Sequence, residues 1–521
     1  MKTSKIKYFT RNDNTNQKLL LGVAFCCLLS AATAQEKRDK NYAIIQLGDT
    51  EADVIRKAAN VKPTQRQLHW QQLELTAFFH FGINTFTNKE WGTGKEDPAI
   101  FNPTQLDARQ WVHSVKDAGI KQVIITAKHH DGFCLWPTKT TKHSVESSPW
   151  KNGKGDVVKE VSDACKEMNI GFGIYLSPWD MNAPVYGTDA YNDFFVSQLT
   201  ELLTNYGRID EVWFDGANGE GPNGKKQVYD FDKWYKHIRT LQPAATIAIM
   251  GPDVRWVGTE TGYGREQEWS VVPANNLDQT AVAANSQQGI VFKPQGDMRG
   301  TVLGSREKII NAKGLVWYPA ETDVSIRPSW FYHAAEDDKV KSPEKLLDIY
   351  YSSVGRNSVL LLNIPPDKRG LIHENDVRSL KNFRTLIDKT FANNLLKNAK
   401  ATIKDYKKIV DNNYKTYWIT NGRDTTATIE FDLKTSQTFD VLQLQENIAI
   451  GQRIEQFVFE YFNNNEWKKA AEATTVGYKR ILRFKPVTAS KVRLRIISSR
   501  LNPTLAEIGL YKQPSGDFYK Q

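Results

Sequence analysis

Short apolar runs and amphipathic stretches alternate along this chain from about residue 65 to residue 365. The apolar runs are continuous, which is typical of strands that are buried on both faces of a parallel sheet. They predict strands over 75–82, 122–132, 171–180, 211–216, 246–252, 314–323 and 358–366. Helical spacing of the apolar residues between them predicts helices over 107–119, 156–168, 194–207 and 231–242. This alternation favours an α/β fold, a (β/α)8-like barrel, over an open doubly wound sheet.

The periodicity changes after residue 370. A helical pattern over 374–396 is followed by short segments in which apolar and polar residues alternate strictly, a pattern typical of antiparallel strands. These segments are 426–433, 439–447, 453–462, 491–499 and 505–511. They predict an antiparallel, jelly-roll-like β-sandwich. We therefore divide the chain into a barrel domain (35–370), a helical linker (371–396), a β-sandwich domain (397–514) and a tail (515–521).

Residues 1–34 have the pattern of a signal peptide. Five basic residues precede the apolar run LLLGVAFCCLLSAATA, and Ala32-Thr33-Ala34 is a small-x-small cleavage site. We expect cleavage after Ala34 and export to the periplasm or the exterior of a bacterium, with no membrane span in the mature chain. Of the cysteines, Cys134 and Cys165 then remain, either as a pair in an oxidising compartment or as buried free thiols.

Charge and aromatic content narrow the choice of partner. The formal net charge of +10 falls to about +6 without residues 1–34, and the basic residues form no clustered stripe, so nothing supports a nucleic-acid partner. The chain has 14 Trp and 20 Tyr. Aromatic rings suit the C–H faces of sugars, although most such side chains serve a protein core.

Several predicted strands end on side chains that could do chemistry. These are His80, His129 and His130, Tyr175 and Trp179, and Asp215. Barrel active sites lie at the C-terminal ends of the strands, so we expect these side chains to meet at the barrel mouth. Asp215 ends the segment EVWFDG and precedes small residues that leave room for a ligand. A carboxylate there fits a nucleophile, a general base, a metal ligand or a structural cap of nearby amides.

A metal-dependent barrel hydrolase is one alternative. His129 and His130 are adjacent, and neighbours on a regular strand point to opposite faces. The sequence also contains no His-x-His, HExxH or cysteine cluster. Together with His80, the two histidines fit better as hydrogen-bonding groups around a polyol, and we assign no metal ligand.

Hydrolysis of a glycoside usually needs a second carboxyl group. The acids near later strand ends are Glu260, Glu266, Glu268, Glu321 and Asp323. The residues alone do not rank these five.

Three motifs, in order, resemble those of the α-L-fucosidases of glycoside hydrolase family 29. They are HFGINTF (80–86), KHHDGFCLWPT (128–138) and WFDG (213–216), and the resemblance spans residues 65–365. It implies a retaining exo-fucosidase in which Asp215 is the nucleophile. It also implies that the fucose ring is held by His80, His129, His130, Tyr175 and Trp213. The 6-methyl group of fucose calls for an apolar wall.

The segment DVRWVGTE, which ends at Glu260, resembles the part of one subfamily that carries the acid/base glutamate. That subfamily acts on α-1,3/1,4-linked fucosyl branches. The resemblance implies that Glu260 is the acid/base, with Glu266 and Glu268 as reserves. Its substrates would be Lewis-type glycans on oligosaccharides or glycoproteins. Glu260 must hold its proton near neutral pH, which requires desolvation or a neighbouring negative charge.

Tryptophans are expected to wall the sugar pocket, namely Trp91 and either Trp317 or Trp330. The C-terminal domain resembles a discoidin-type carbohydrate-binding module, on its strand pattern and the segment LAEIGLY. It could bind sugar, complete the aglycone site or brace the barrel, and it could hold a structural Ca²⁺. Hydrolysis itself is expected to need no cofactor. A secreted glycan-binding protein with an inactive barrel is the other alternative.

Overall fold

A computed structural model of the chain describes residues 41–274 and 302–514. The predicted signal peptide (1–34) and tail (515–521) lie outside the described residues. Within the described residues, no helix is long and apolar enough to cross a membrane.

The strands are short in the N-terminal domain and long in the C-terminal domain. In chain order, those of the described residues are β1 (Tyr42–Ile44), β2 (Leu75–Phe79), β3 (Gln122–Lys128), β4 (Gly171–Leu176), β5 (Glu211–Phe214), β6 (Thr246–Ile249), β7 (Arg255–Trp256), β8 (Val271–Ala274), β9 (Gly314–Trp317), β10 (Ala320–Ser325), β11 (Val359–Asn363), β12 (Lys400–Ala401), β13 (Trp418–Ile419), β14 (Ala427–Gln445), β15 (Ile454–Asn463), β16 (Glu466–Ala473), β17 (Arg480–Ser499), β18 (Thr504–Leu505) and β19 (Glu507–Tyr511).

The α-helices belong almost entirely to the N-terminal domain. They are α1 (Glu51–Asn60), α2 (Gln65–Gln71), α3 (Ile83–Thr87), α4 (Ala108–Asp117), α5 (Val157–Met168), α6 (Ala190–Asn205), α7 (Phe231–Leu241), α8 (Arg306–Ile309), α9 (Pro343–Ser352) and α10 (Glu374–Phe391). Short 3-10 helices span Pro98–Ile100, Val145–Ser147, Trp150–Gly153, Ala334–Glu336, Tyr406–Ile409 and Ile448–Ile450.

Eight parallel strands form the barrel sheet, in the order β6-β5-β4-β3-β2-β11-β10-β7. The two end strands, β6 and β7, lie beside each other, so the sheet curls into a nearly closed barrel. Strands β2, β3, β5, β6 and β11 are buried along their whole length. Their continuous apolar runs follow from this, because side chains meet the barrel interior on one face and helices on the other. The predicted barrel is confirmed.

Local capping determines where the barrel helices begin and end, as α5 illustrates. The carboxylate of Asp156 accepts a hydrogen bond from the backbone N–H of Lys159 at 2.9 Å, which satisfies one of the free donors of the first turn. The helix ends where Asn169 adopts the left-handed conformation. Its valine-rich face packs into the barrel core.

The helix predicted as a linker, α10, is packed as a barrel helix against α4 and α9. Leu380 and Phe383 lie in the barrel core. Its first turn is held by a buried ion pair, in which the Arg327 guanidinium donates to both carboxylate oxygens of Asp376 at 2.6–3.1 Å. The helix therefore completes the outer layer of the barrel before the chain enters the second domain.

The strand predicted over 314–323 is two strands in different sheets. Strand β9 pairs with β1 and β8 in a small antiparallel sheet, and β10 enters the barrel after a break at Tyr318 and Pro319. Trp317, expected in the sugar pocket, ends β9. It is fully buried among residues of α1 and β8, and its indole N–H donates to Gln71 Oε1 at 2.9 Å. Its assignment to the pocket is corrected: it is a core residue.

The C-terminal domain is an antiparallel β-sandwich. One sheet has the order β12-β14-β17-β15-β16, with β19 also paired to β14, and β13 pairs with β18. The segments predicted over 426–433 and 439–447 form one bent strand, β14, with register shifts after Asp432 and Phe439. Strand β16 was not predicted, because EWKKAAEA does not alternate apolar and polar residues. The Asn464-Asn465 turn before it has two residues with positive φ.

Candidate active site

A cavity of about 320 Å³ opens at the carboxyl ends of the barrel strands. Aromatic, histidine and carboxylic side chains from most of these strand ends converge on it. It is lined by Phe78, His80, Glu90, Trp91, His129, His130, Tyr175, Trp213, Asp215, Gly216, Ala217, Ile249, Trp256, Glu260, Asp323 and Trp330. This size and this mixture of apolar walls with few convergent polar groups are typical of a small-ligand site.

Asp215 follows the last residue of β5 and points a partly exposed carboxylate into the cavity. Its Oδ1 accepts a hydrogen bond from the backbone N–H of Ala217 at 2.7 Å. Its Oδ2 accepts one from Tyr175 Oη at 3.2 Å and lies 3.9 Å from His130 Nε2. These groups orient the carboxylate, and the small residues after it keep one side open to a ligand.

Two of the histidines present a bare acceptor nitrogen to the cavity. The amide of Asn363 donates to Ser325 Oγ and to the Trp330 carbonyl, so its oxygen must accept the hydrogen bond from His80 Nδ1, 2.8 Å away. Burial lowers the pKa of His80 to about 3. The ring is therefore neutral, with its proton on Nδ1 and a lone pair on Nε2.

His130 has the same arrangement. The Ser177 hydroxyl donates to the Trp179 carbonyl at 2.6 Å, so it accepts from His130 Nδ1 at 2.7 Å. Burial lowers the pKa of His130, against the opposing effect of Asp215. Burial also lowers the pKa of His129 well below its usual value, and His129 Nδ1 has no hydrogen-bond partner within the described residues. Neutral imidazoles of this kind suit sugar hydroxyl groups, which can donate to them.

Stacked rings form the floor of the cavity. Tyr175 stacks on Trp213 with centroids 5.1 Å apart, and Phe78 meets Trp213 edge-on at 4.9 Å. The Trp213 indole N–H donates to Glu321 Oε1 at 2.8 Å, below the cavity. Burial, with Glu211 nearby, raises the pKa of Glu321 well above its usual value. Glu321 is therefore a buried acid that accepts a hydrogen bond from a floor residue, and it does not line the cavity.

Glu260 lies at the cavity rim, on the loop after β7. The Trp330 indole N–H donates to Glu260 Oε2 at 3.3 Å. The Glu260 side chain is exposed. Trp330 and Glu260 border the same opening of the cavity.

Glu90 fixes the position of the Trp330 segment. Its carboxylate accepts hydrogen bonds from the backbone N–H of Trp330 at 2.8 Å and of Phe331 at 3.3 Å, and contacts His333 Nε2 at 2.7 Å. Next to it, Trp91 remains 58% exposed and packs edge-on against Trp179, with centroids 5.7 Å apart. The two indoles form an aromatic edge on the rim.

Asp323 is the fourth carboxyl group that lines the cavity, after Asp215, Glu260 and Glu90. Its Oδ1 accepts from the Trp256 indole N–H at 2.8 Å. Burial raises the pKa of Asp323 to about 8, with smaller contributions from the negative charges of Glu260 and Asp215. Near neutral pH, Asp323 is therefore a protonated acid beside two other carboxyl groups.

The two reserve acids, Glu266 and Glu268, do not line the cavity. Glu266 forms ion pairs with Arg356 and Arg480 at the boundary between the domains. Glu268 is buried between Arg255 and Arg265. Neither lines the cavity, which leaves Glu260 as the member of this segment that does.

Two further observations concern cysteines and metals. Cys134 and Cys165 are both buried free thiols. In residues 41–274 and 302–514, no three His, Cys, Asp or Glu side chains are grouped in a way that could hold a metal ion.

Comparison with known proteins identifies the family. A family model described as alpha-L-fucosidase matches residues 80–389. Alpha-L-fucosidase 1 of Arabidopsis thaliana is 43% identical over 464 residues, which cover 86% of this chain and 87% of that protein. The chain belongs to the α-L-fucosidase family. It is a glycoside hydrolase, as the three sequence motifs implied.

Solved structures extend the likeness over both domains. A crystal structure from Bacteroides ovatus is 53% identical with a TM-score of 0.81, covering 91% of this chain and 78% of its own. A Ruminococcus gnavus family 29 fucosidase, solved in complex with fucose, is 34% identical with a TM-score of 0.78, covering 88% and 96%. A model described as a NedA-like, galactose-binding domain matches residues 408–494 of the fucosidase. The predicted discoidin-like character of the C-terminal domain is confirmed.

Sequence reasoning missed several residues of the cavity. Glu90 and Trp256 were not singled out, and Asp323 was one unranked acid among several. Glu90 directly precedes Trp91 in the sequence, and a carboxylate next to a pocket tryptophan was a usable signal. Nothing in the local sequence pointed to Trp256 or Asp323, because their pairing depends on strands β7 and β10 being neighbours.

We predict that the free energy of unfolding of Asp323→Asn, measured relative to the wild type, rises between pH 4 and pH 8. The unfolded chain releases the Asp323 proton near 3.8, whereas the folded chain keeps it to about 8, so wild-type stability falls as pH rises between these values. Asparagine keeps an acceptor for Trp256 and does not titrate. Thermal midpoints of both proteins across this range test it, and a difference that does not change with pH contradicts it.

Proposed function

We propose that this fucosidase releases terminal α-1,3/1,4-linked fucose from branched glycans with retention of configuration. The observation that supports this best is that Asp215 and Glu260 line one cavity whose remaining polar groups suit a sugar. Asp215 acts as the nucleophile and Glu260 as the acid/base.

In the first step, an Asp215 oxygen bonds to the anomeric carbon while the bond from that carbon to the glycosidic oxygen breaks. The Glu260 carboxyl gives its proton to the departing oxygen. In the second step, the Glu260 carboxylate takes a proton from water, the water oxygen bonds to the anomeric carbon, and Asp215 is released. Hydrogen bonds from Tyr175 and the Ala217 amide favour the ionised carboxylate that the first step needs.

The fucose ring lies on the stacked floor. Its hydroxyl groups donate to the bare nitrogens of His80 and His130, and the protonated Asp323 supplies a donor. Phe78 and Ile249 supply apolar lining for the 6-methyl group. The fucose complex of the Ruminococcus gnavus relative supports this reading of the cavity. The exposed indole of Trp91 and the half-buried indole of Trp179 offer the rest of a branched glycan an aromatic edge at the rim.

Asp215→Ala and Glu260→Ala should fail in different ways. Loss of the nucleophile lowers kcat by at least about a thousandfold for every substrate. Loss of the acid/base lowers kcat/KM, which reports the first step, by about 10²–10⁴-fold for a Lewis trisaccharide, but much less for α-L-fucosyl fluoride, whose leaving group needs little protonation. Azide should partly rescue Glu260→Ala by forming a fucosyl azide. Glu266→Ala retains the Glu260 carboxyl group, so azide should not rescue it; azide rescue of Glu266→Ala in place of Glu260→Ala would show that Glu260 is not the acid/base.

The preferred linkage can be read from the products of a glycan panel. We expect fucose release from α-1,3- and α-1,4-branched trisaccharides to exceed that from an α-1,2-linked disaccharide by at least about tenfold in kcat/KM. Free fucose is quantified by chromatography. Preference for the α-1,2 linkage would contradict the proposed specificity, and binding without fucose release would favour a glycan-binding protein.

Chelation tests the proposed independence from cofactors. The mechanism above uses carboxyl groups alone, so EDTA should leave kcat unchanged. A structural Ca²⁺ in the C-terminal domain would instead appear as a thermal midpoint that falls with EDTA and recovers with Ca²⁺. Asp411 and Glu507, whose carboxylates both accept from the Asn413 amide at 2.9 Å, offer oxygen ligands of the type that Ca²⁺ prefers. Loss of activity in EDTA would point to the metal-dependent alternative.

Export remains part of the proposal. It rests on the basic, apolar and small-residue pattern of residues 1–34. An exported enzyme would meet fucosylated oligosaccharides or glycoproteins outside the cytoplasm.

A further inference from the structure

The loop that carries Glu260 has few contacts at the catalytic end. It runs from residue 257 to residue 270, between β7 and β8, without regular secondary structure. Within the described residues, the Glu260 side chain receives one hydrogen bond, from Trp330 at 3.3 Å. The position of the proton donor therefore depends on how the rest of the loop is held.

Part of the loop is fixed to the barrel. The Gly262 amide donates to the Asp323 carbonyl at 3.1 Å, and the Gly264 amide donates to the Ser352 carbonyl at 2.7 Å. Gly262 has a positive φ of 76°, and a side chain there would collide with Ile349. These contacts bring the loop away from the cavity and along the outside of β10.

The far end of the loop is held by the C-terminal domain. Arg480, at the start of β17, donates to the Glu266 carbonyl at 2.6 Å and to the Glu266 carboxylate at 3.0 Å. The Thr474 hydroxyl donates to the same carbonyl at 3.2 Å. The Gln452 amide donates to the Glu268 carbonyl at 3.0 Å. Both domains thus hold the segment directly after Glu260.

Arg480 differs from an ordinary surface ion-pair residue. Its side chain is only 3% exposed, although the side chain of Glu266 is 69% exposed. Burial lowers the pKa of Arg480 to about 10, and the Glu266 charge opposes that effect. An exposed ion pair contributes little to stability, but a buried guanidinium needs its acceptors, and both side-chain hydrogen bonds of Arg480 go to Glu266.

We propose that Arg480 is a positioning residue for the acid/base: through Glu266, the C-terminal domain holds the loop so that Glu260 stays at the rim of the cavity. The domain thereby acts on the proton-transfer step without touching the sugar. This inference rests on the proposed role of Glu260. It gives the β-sandwich a part in catalysis that is separate from any binding of glycans by that domain.

The test uses the full chain with two variants and a matched control. Arg480→Met removes the guanidinium. Glu266→Gln keeps the carbonyl contact but removes the charge that pairs with both Arg480 and Arg356. The control is Arg306→Met. It breaks another ion pair across the domain boundary, in which Arg306 donates to both carboxylate oxygens of Glu455 in β15 at 2.7–2.9 Å.

We expect Arg480→Met to lower kcat/KM for a Lewis trisaccharide by about tenfold or more, because a small displacement of a catalytic group is costly. The loss with α-L-fucosyl fluoride should be less than about threefold, since that substrate depends little on the acid. Glu266→Gln should shift the ratio of activity on the trisaccharide to activity on the fluoride in the same direction, but by less. Arg306→Met should leave this ratio unchanged. Backbone hydrogen exchange in residues 257–270 should quicken in Arg480→Met and not in the control.

Equal losses on both substrates, or an unchanged ratio in Arg480→Met and Glu266→Gln, would overturn the proposal. If Arg480→Met does not fold, the ratio in Glu266→Gln alone decides. Failure of the proposed function looks different: the wild type would then release no fucose from either substrate, or Glu260→Ala would show no selective loss.

Discussion

Burial of ionisable groups in the barrel mouth is the constraint on which the site depends. Among the described residues that line the cavity, none is Lys or Arg, and four carboxyl groups share it. Desolvation keeps His80 neutral and leaves Asp323 protonated near neutral pH. The cavity therefore presents acceptor nitrogens and an acid proton near the hydrogen-bonded carboxyl group of Asp215.

Burial also affects an ionisable group beneath the aromatic floor of the cavity. The Trp213 indole is held by its hydrogen bond to Glu321, a buried acid whose pKa burial raises. Buried groups of this kind are expensive unless they are neutral or paired. At the centre of the barrel, buried ionisable groups are neutral. At its periphery they are ion-paired, as Arg327 is with Asp376.

Residues at the rim of the cavity are in a different environment, because this region is exposed to solvent and its loop contacts the second domain. Glu260 is exposed and lies on an irregular loop, whereas Asp215 directly follows a buried strand. The proposed nucleophile, at a strand end, needs little further support. The proposed proton donor lies on a loop, and the contacts that hold this loop come from β10 and from the sandwich domain.

The sequence alone determined the secondary-structure elements whose hydrophobic residues follow a regular pattern. The continuous apolar runs identified the barrel strands, and the strand-end residues His80, His129, Tyr175 and Asp215 lie together, because parallel strands bring their carboxyl ends to one edge. Only the tertiary structure decided which partners meet across the chain. Trp317 and Trp330 look alike in sequence, yet one ends a strand of a small side sheet and the other borders the cavity. Asp323 meets Trp256, and Glu266 meets Arg480, because sheet neighbours and domain packing bring distant residues together, and neither leaves a local period in the sequence.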